Sequence, residues 1–142
     1  KRSERGFAMR LSAILVLLFA AAGVWAQEKV VYHFDSGLQQ GSNGIRNMNN
    51  HLEVDPGAKI VAVAHAAGVD FLMEGAKDAL GPFDARVQDL MAKGVKFQVC
   101  EITLRIRKLK KDDFILGVDF VPSGVAQITH LQQKEGYAYL KP

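Results

Sequence analysis

Cys100 is the only cysteine in this 142-residue chain, and it closes an alternating apolar run, Val95-Lys96-Phe97-Gln98-Val99-Cys100. With no second thiol, an internal disulfide is excluded. Three readings remain open: a small buried hydrophobe, a nucleophile or carrier, or an intermolecular link. A helix start just after Cys100 would favour thiolate, because unpaired N–H groups there carry partial positive charge. Arg105, Arg107, Lys108, Lys110 and Lys111 follow closely, and Arg105 is the candidate to stabilise a thiolate or bound anion; Glu101 opposes them. The same basic run also reads as a solvated face or a subunit contact. His65 is the candidate partner for the thiol, with a plain hydrogen-bonded histidine as its alternative.

The other histidines do not suggest a metal. His33, His51, His65 and His130 are scattered, with no His-x-x-x-His pair and no second cysteine, so the spacing argues against a zinc site. No Gly-rich phosphate loop is present, and no cofactor is expected.

These side chains need elements to hold them. Lys29 to Phe34 reads as a strand, followed by a polar helix over about Leu38 to Leu52. Lys59 to Ala64 is a second strand, apolar enough to be buried on both faces. A loop through Gly68 and a short segment, Phe71 to Glu74, lead to a helix over about Pro82 to Ala92. Val95 to Val99 is the third strand. A short helix is expected over Thr103 to Leu109 and a fourth strand over Ile115 to Val121. A helix capped by Ser123 then runs to about Lys134, and Tyr137 to Leu140 is a last short strand whose tyrosines cover the sheet edge. Strands alternating with helices predict a doubly wound α/β domain with a parallel sheet. Chemistry in such sheets collects at the C-terminal strand ends. Those ends carry His33 and Asp35, His65, Cys100 and Ser123, so His65 and Cys100 are expected to face one crevice.

Residues Met9 to Ala26 (MRLSAILVLLFAAAGVWA) have the three-part pattern of a secretory leader: a positive start, an apolar stretch and a small-residue cut after Ala26. Met9 is the candidate start. The apolar stretch is too short to span a bilayer, which needs roughly 20 residues. The expectation is a leader over residues 1–26, a single domain over residues 27–142 and a periplasmic protein, membrane-anchored only if the leader is retained. Loss of Lys1, Arg2, Arg5 and Arg10 takes Lys+Arg from 18 to 14, and loss of Glu4 takes Asp+Glu from 15 to 14. The remaining chain is formally neutral, so the basic balance gives no support for nucleic-acid binding.

The stretch Gly94-Val-Lys-Phe-Gln-Val-Cys100-Glu-Ile-Thr-Leu-Arg105, with Val121-Pro-Ser-Gly-Val-Ala126 and Glu135-Gly-Tyr-Ala-Tyr139, resembles the DsrE/DsrF-like family of sulfur-relay proteins. The similarity runs from about Lys29 to Pro142. It implies a flavodoxin-like three-layer α/β/α domain with a five-stranded parallel sheet, assembled as a trimer or hexamer. It further implies that Cys100 carries a persulfide and hands sulfur to a small acceptor protein. The relay proteins it resembles work in the cytoplasm, so the leader would move that chemistry outside. The competing expectation is a non-catalytic oligomeric module that binds a small ligand, with Cys100 as packing.

Overall fold

Strand β1 (Lys29–Phe34) sends Val30, Tyr32 and Phe34 to one side of the sheet and Val31 and His33 to the other, the two-residue period of an extended chain. The same alternation governs β2 (Lys59–Ala64): Ile60, Ala62 and Ala64 join the first side, Val61 and Val63 the second. The computed structural model describes residues 26–142, so the expected leader lies outside the described residues except for Ala26. Among the described residues no helix is long and apolar enough to cross a membrane.

Helix α1 (Leu38–Val54) follows β1, and the hairpin of β3 (Lys77–Asp78) and β4 (Gly81–Pro82) precedes α2 (Phe83–Ala92). Strand β5 (Lys96–Cys100) leads directly into α3 (Glu101–Arg107). Strand β6 (Asp119–Val121), helix α4 (Gly124–Glu135) and strand β7 (Ala138–Leu140) complete the chain. The five longer strands form one parallel sheet in the order β6-β5-β2-β1-β7. The larger core packs α1 and α2 on one face through Ile45, Met48, Leu52, Phe83, Val87 and Leu90. On the opposite face α4 seals Val31, Val61 and Val63 with Ile128 and Leu131. This is the flavodoxin-like α/β arrangement, a parallel sheet flanked by helices, that the family resemblance implies.

Several boundaries differ from the sequence expectations. The segment after β2 is a 3-10 helix, Ala66–Leu72, rather than a loop. The β3–β4 hairpin was not anticipated; its two-residue strands give no periodic signal, and Arg86 holds it by pairing with Asp78 at 2.8 Å. The fourth strand is only Asp119–Val121. Ile115 and Val118 are apolar because they enter the larger core, but Ile115 N–H donates to the Leu72 carbonyl rather than to a strand, and Gly117 turns the chain at φ 95°. The apolar content was read as extended chain when it reflected burial. Finally, α3 begins at Glu101, two residues earlier than expected, and this shift bears directly on the thiol.

Candidate functional site

Because α3 starts at Glu101, Cys100 is both the last residue of β5 and the N-cap of the helix. Its neighbour Val99 enters the larger core, so the pleat turns Cys100 toward the α4 side, where Gln98 also meets Gln127 at 3.0 Å. Across the sheet edge Cys100 pairs with Val121 of β6, and the short turn Pro122-Ser123 brings the start of α4 over the thiol. Ser123 caps α4 by accepting from Ala126 N–H. A Cβ placed on Gly124 would lie 3.2 Å from the Cβ of Cys100 and 3.2 Å from the Cβ of His65. Gly124 is therefore the spacer that lets α4 approach both residues, and the two β-carbons stand no more than twice that distance apart.

Cys100 is 5 % exposed. Burial pushes its thiol pKa up, but the backbone N–H groups of Gly124, Thr103 and Ile102 and the Thr103 hydroxyl outweigh this, leaving it below the ordinary thiol value. The Cys100 side chain makes no capping hydrogen bond to α3. Thr103 is itself buried, and its Oγ1 accepts from Ala66 N–H at 2.8 Å. That bond leaves the Thr103 hydroxyl proton free to donate elsewhere.

His65 follows Ala64, the last residue of β2, and is the N-cap of the 3-10 helix. The next residue, Ala66, sits at φ 51°, a left-handed conformation that costs an alanine about 1 kcal/mol or more. Two bonds from α3 secure it: the one to Thr103 and a 3.0 Å bond from Arg107 Nη1 to the Ala66 carbonyl. Arg107 also pairs with Asp70 at 2.6 Å. Arg105, the expected stabiliser, is exposed and does not line the cavity beside Cys100, whereas Arg107 does. One helical turn has room for only some of the basic run on the cavity side, and α3 turns Arg107 there.

That cavity is about 500 Å³ and brings together His65, Cys100, Thr103, Arg107 and Ser123. Asp70, the partner of Arg107, also lines it, and aliphatic side chains form the rest of its wall, among them Ile102, Ile106 and Val125. Ile106 is 72 % exposed and Val125 58 %, so its mouth is apolar.

Behind His65 lies a chain of polar side chains, of which the strand-end rule named His33 and Asp35 but nothing in the sequence linked Tyr139 or Lys141 to them. His65 Nε2 is 2.7 Å from His33 Nε2, with the rings stacked at 4.9 Å, and His33 Nδ1 is 2.6 Å from the Tyr139 hydroxyl. Burial, the neighbouring His65 and Lys141 push the His33 pKa down, with Asp35 opposing. Asp35 accepts from Lys141 Nζ at 2.7 Å, which with Ser36 holds its carboxyl at about 2 despite partial burial. Gln40, buried in α1, accepts from both Asp35 N–H and Ser36 N–H at 2.8 Å and so sets the β1–α1 turn. One ligand atom from each of His33, Asp35 and His65 lies within 4.8 Å of the others. No spacing rule could have found this group, because parallel pairing joins strand ends 32 residues apart. Thr103 did carry a signal: a hydroxyl three residues after an N-cap lies in the first helical turn.

The fold and site together are a wound parallel α/β sheet with a lone cysteine at a strand end that lines a cleft. The DsrE/DsrF-like family model matches residues 29–142, and the chain belongs to that family, which is linked to sulfur relay. Among solved structures it is similar to MTH1491 of Methanobacterium thermoautotrophicum, itself described as of unknown function. The two are 32 % identical with a TM-score of 0.74, over 82 % of this chain and 100 % of that one. It also shares the fold of the YchN protein of E. coli, at 16 % identity and a TM-score of 0.66, over 82 % of this chain and 99 % of that one. No curated protein matches.

Proposed function

We propose that the protein is a sulfur carrier or sulfurtransferase-like protein that holds a persulfide on Cys100. The observation that supports this most is a lone thiol at the start of α3, approached by the first turn of α4 at Gly124 and lining a cavity of about 500 Å³. Donors that stabilise thiolate stabilise the persulfide anion in the same way. In the loading step the Cys100 thiolate attacks the outer sulfur of thiosulfate or a polysulfide. A sulfur–sulfur bond forms to Cys100, the donor's own sulfur–sulfur bond breaks, and sulfite or a shortened polysulfide leaves with the electron pair. An acceptor thiolate then attacks the outer sulfur, and Cys100 departs as thiolate. Arg107 at the cavity wall provides positive charge for an anionic donor, and His65 is placed to exchange a proton with the leaving group.

The acceptor in this reading is a small protein whose cysteine reaches into the cavity through its apolar mouth. The carrier works as a homo-oligomer, a trimer or hexamer, in the periplasm, following the leader pattern of the sequence. Incubating the protein with thiosulfate or polysulfide and weighing it intact should give a gain of one sulfur, about 32 Da, reversed by reductant. Absence of the adduct, or an equal adduct on Cys100→Ser, overturns the carrier reading.

The aliphatic walls support a second reading, a non-catalytic pocket for a small apolar ligand with Cys100 as packing. It requires a native thiol that resists iodoacetamide and a Cys100→Ala variant with unchanged ligand binding. A direct intermolecular disulfide has less support, since only 5 % of Cys100 is exposed.

A further inference from the structure

Beside the cysteine cavity, the ends of β1, β2 and β7 hold a second set of groups, of which the sulfur chemistry uses only His65. His33 is the penultimate residue of β1, Asp35 lies just beyond the strand, and His65 follows β2, each partly exposed. Two imidazole nitrogens face each other at 2.7 Å, and a carboxylate oxygen shares their 4.8 Å sphere. We propose that His33, Asp35 and His65 bind a divalent first-row transition-metal ion of the imidazole-preferring kind, zinc, nickel or copper, with Tyr139 orienting His33 and Lys141 as the cation the metal displaces.

Four features carry this. Two imidazoles and a carboxylate are the donor set such ions take, with water filling the remaining positions. The His33 Nδ1–Tyr139 bond at 2.6 Å is the outer hydrogen bond that a ligating imidazole needs: Nδ1–H donating to the hydroxyl leaves the Nε2 lone pair facing His65. The Asp35 carboxylate already holds a cation, the Lys141 ammonium at 2.7 Å, so the site selects positive charge. The movement required is local. Metal–nitrogen bonds of about 2.0–2.1 Å at a tetrahedral angle place two nitrogens about 3.3 Å apart, so the imidazole nitrogens part by about 0.6 Å and each ring tilts by about 35° to bring its lone pair onto the ion. A pair of imidazoles merely sharing a proton is the competing state, and it makes no use of Asp35 or of the Lys141 exchange.

The test uses Co²⁺ as a spectroscopic stand-in for Zn²⁺, with both titrated calorimetrically into the full chain and into Cys100→Ser. One ion per chain should bind in both proteins, with visible cobalt d–d bands and no sulfur-to-cobalt charge-transfer band. His33→Ala should weaken binding at least about tenfold, as should Tyr139→Phe by the loss of the orienting bond. Lys141→Met should tighten it by freeing Asp35, while His51→Ala should change nothing. Circular dichroism reports whether each variant folds; if His33→Ala does not, His33→Asn and Lys141→Met carry the comparison. No saturable binding overturns the proposal. So does binding indifferent to His33 and Lys141, or a charge-transfer band lost in Cys100→Ser, which would make the thiol the ligand. Because binding is read in Cys100→Ser and persulfide formation by mass on the wild type, either idea can fail without the other.

Discussion

Cys100 reacts only as thiolate, so its environment translates into a rate that depends on pH. The folded thiol pKa is depressed below its ordinary value, because the donors from Gly124, Thr103 and Ile102 overcome burial. The thiolate fraction is therefore higher than that of a free thiol at neutral pH, and it declines only as pH falls through the lowered folded value. Iodoacetamide alkylation followed against pH should give a midpoint below that of a free cysteine peptide titrated alongside. Thr103→Val removes the hydroxyl at nearly constant volume and should move that midpoint upward; an unmoved midpoint would mean Thr103 serves only the Ala66 turn. Gly124→Ala tests the spacer. Its methyl would press on the β-carbons of Cys100 and His65 at 3.2 Å, tighter than most packed contacts. We expect slower alkylation and a loss of about 1 kcal/mol, at the low end of overpacking costs, by urea unfolding.

At the scale of elements, the site depends on two helix starts meeting one strand end. Ser123 places the first turn of α4, and with it the Gly124 N–H, over Cys100. Ser123→Ala should cost about 1 kcal/mol by denaturant titration and also raise the Cys100 midpoint, because a frayed first turn withdraws its donor. On the opposite face α1 lies against Phe34, made possible by Gly44: a Cβ there would stand 2.2 Å from the ring. Gly44→Ala should therefore destabilise by about 1–3 kcal/mol without altering the alkylation midpoint, since the clash falls in the other core. The contrast between these variants separates damage to the site from damage to the fold.

For the molecule as a whole, acid stability should report the β3–β4 hairpin. Asp78 accepts from Arg86 at 2.8 and 3.1 Å and from Ser42 of α1, so its carboxyl sits at about 2 against an ordinary 3.8. A depressed carboxyl contributes stability that is present above the unfolded value and is lost as pH falls through the folded one. Stability should therefore decline between about pH 4 and pH 2, and Asp78→Asn should flatten that part of the curve in urea titrations at stepped pH. Light scattering with sedimentation tests the proposed trimer or hexamer; a monomer at micromolar concentration would leave the apolar cavity mouth open to other partners.

The alternation of β-branched runs with helical segments is a local property, set by side-chain periods of 2 and 3.6, and it identified the parallel α/β architecture before any coordinates. It also placed Cys100, His65 and Ser123 at strand ends, and the cleft does gather all three. Boundaries failed where apolar residues were buried without being extended, as at Ile115 and Val118. What only the tertiary structure decided was the partnership of side chains distant in sequence. Parallel pairing laid the end of β1 beside the end of β2, and the last crossover set β7 on the far side of β1. His33 thus came between His65 and Tyr139. The helical twist of α3 turned Arg107 rather than Arg105 to the cavity. Sequence patterns record which face each residue must bury; they carry no term for the loop-closing crossovers that decide which strand ends become neighbours.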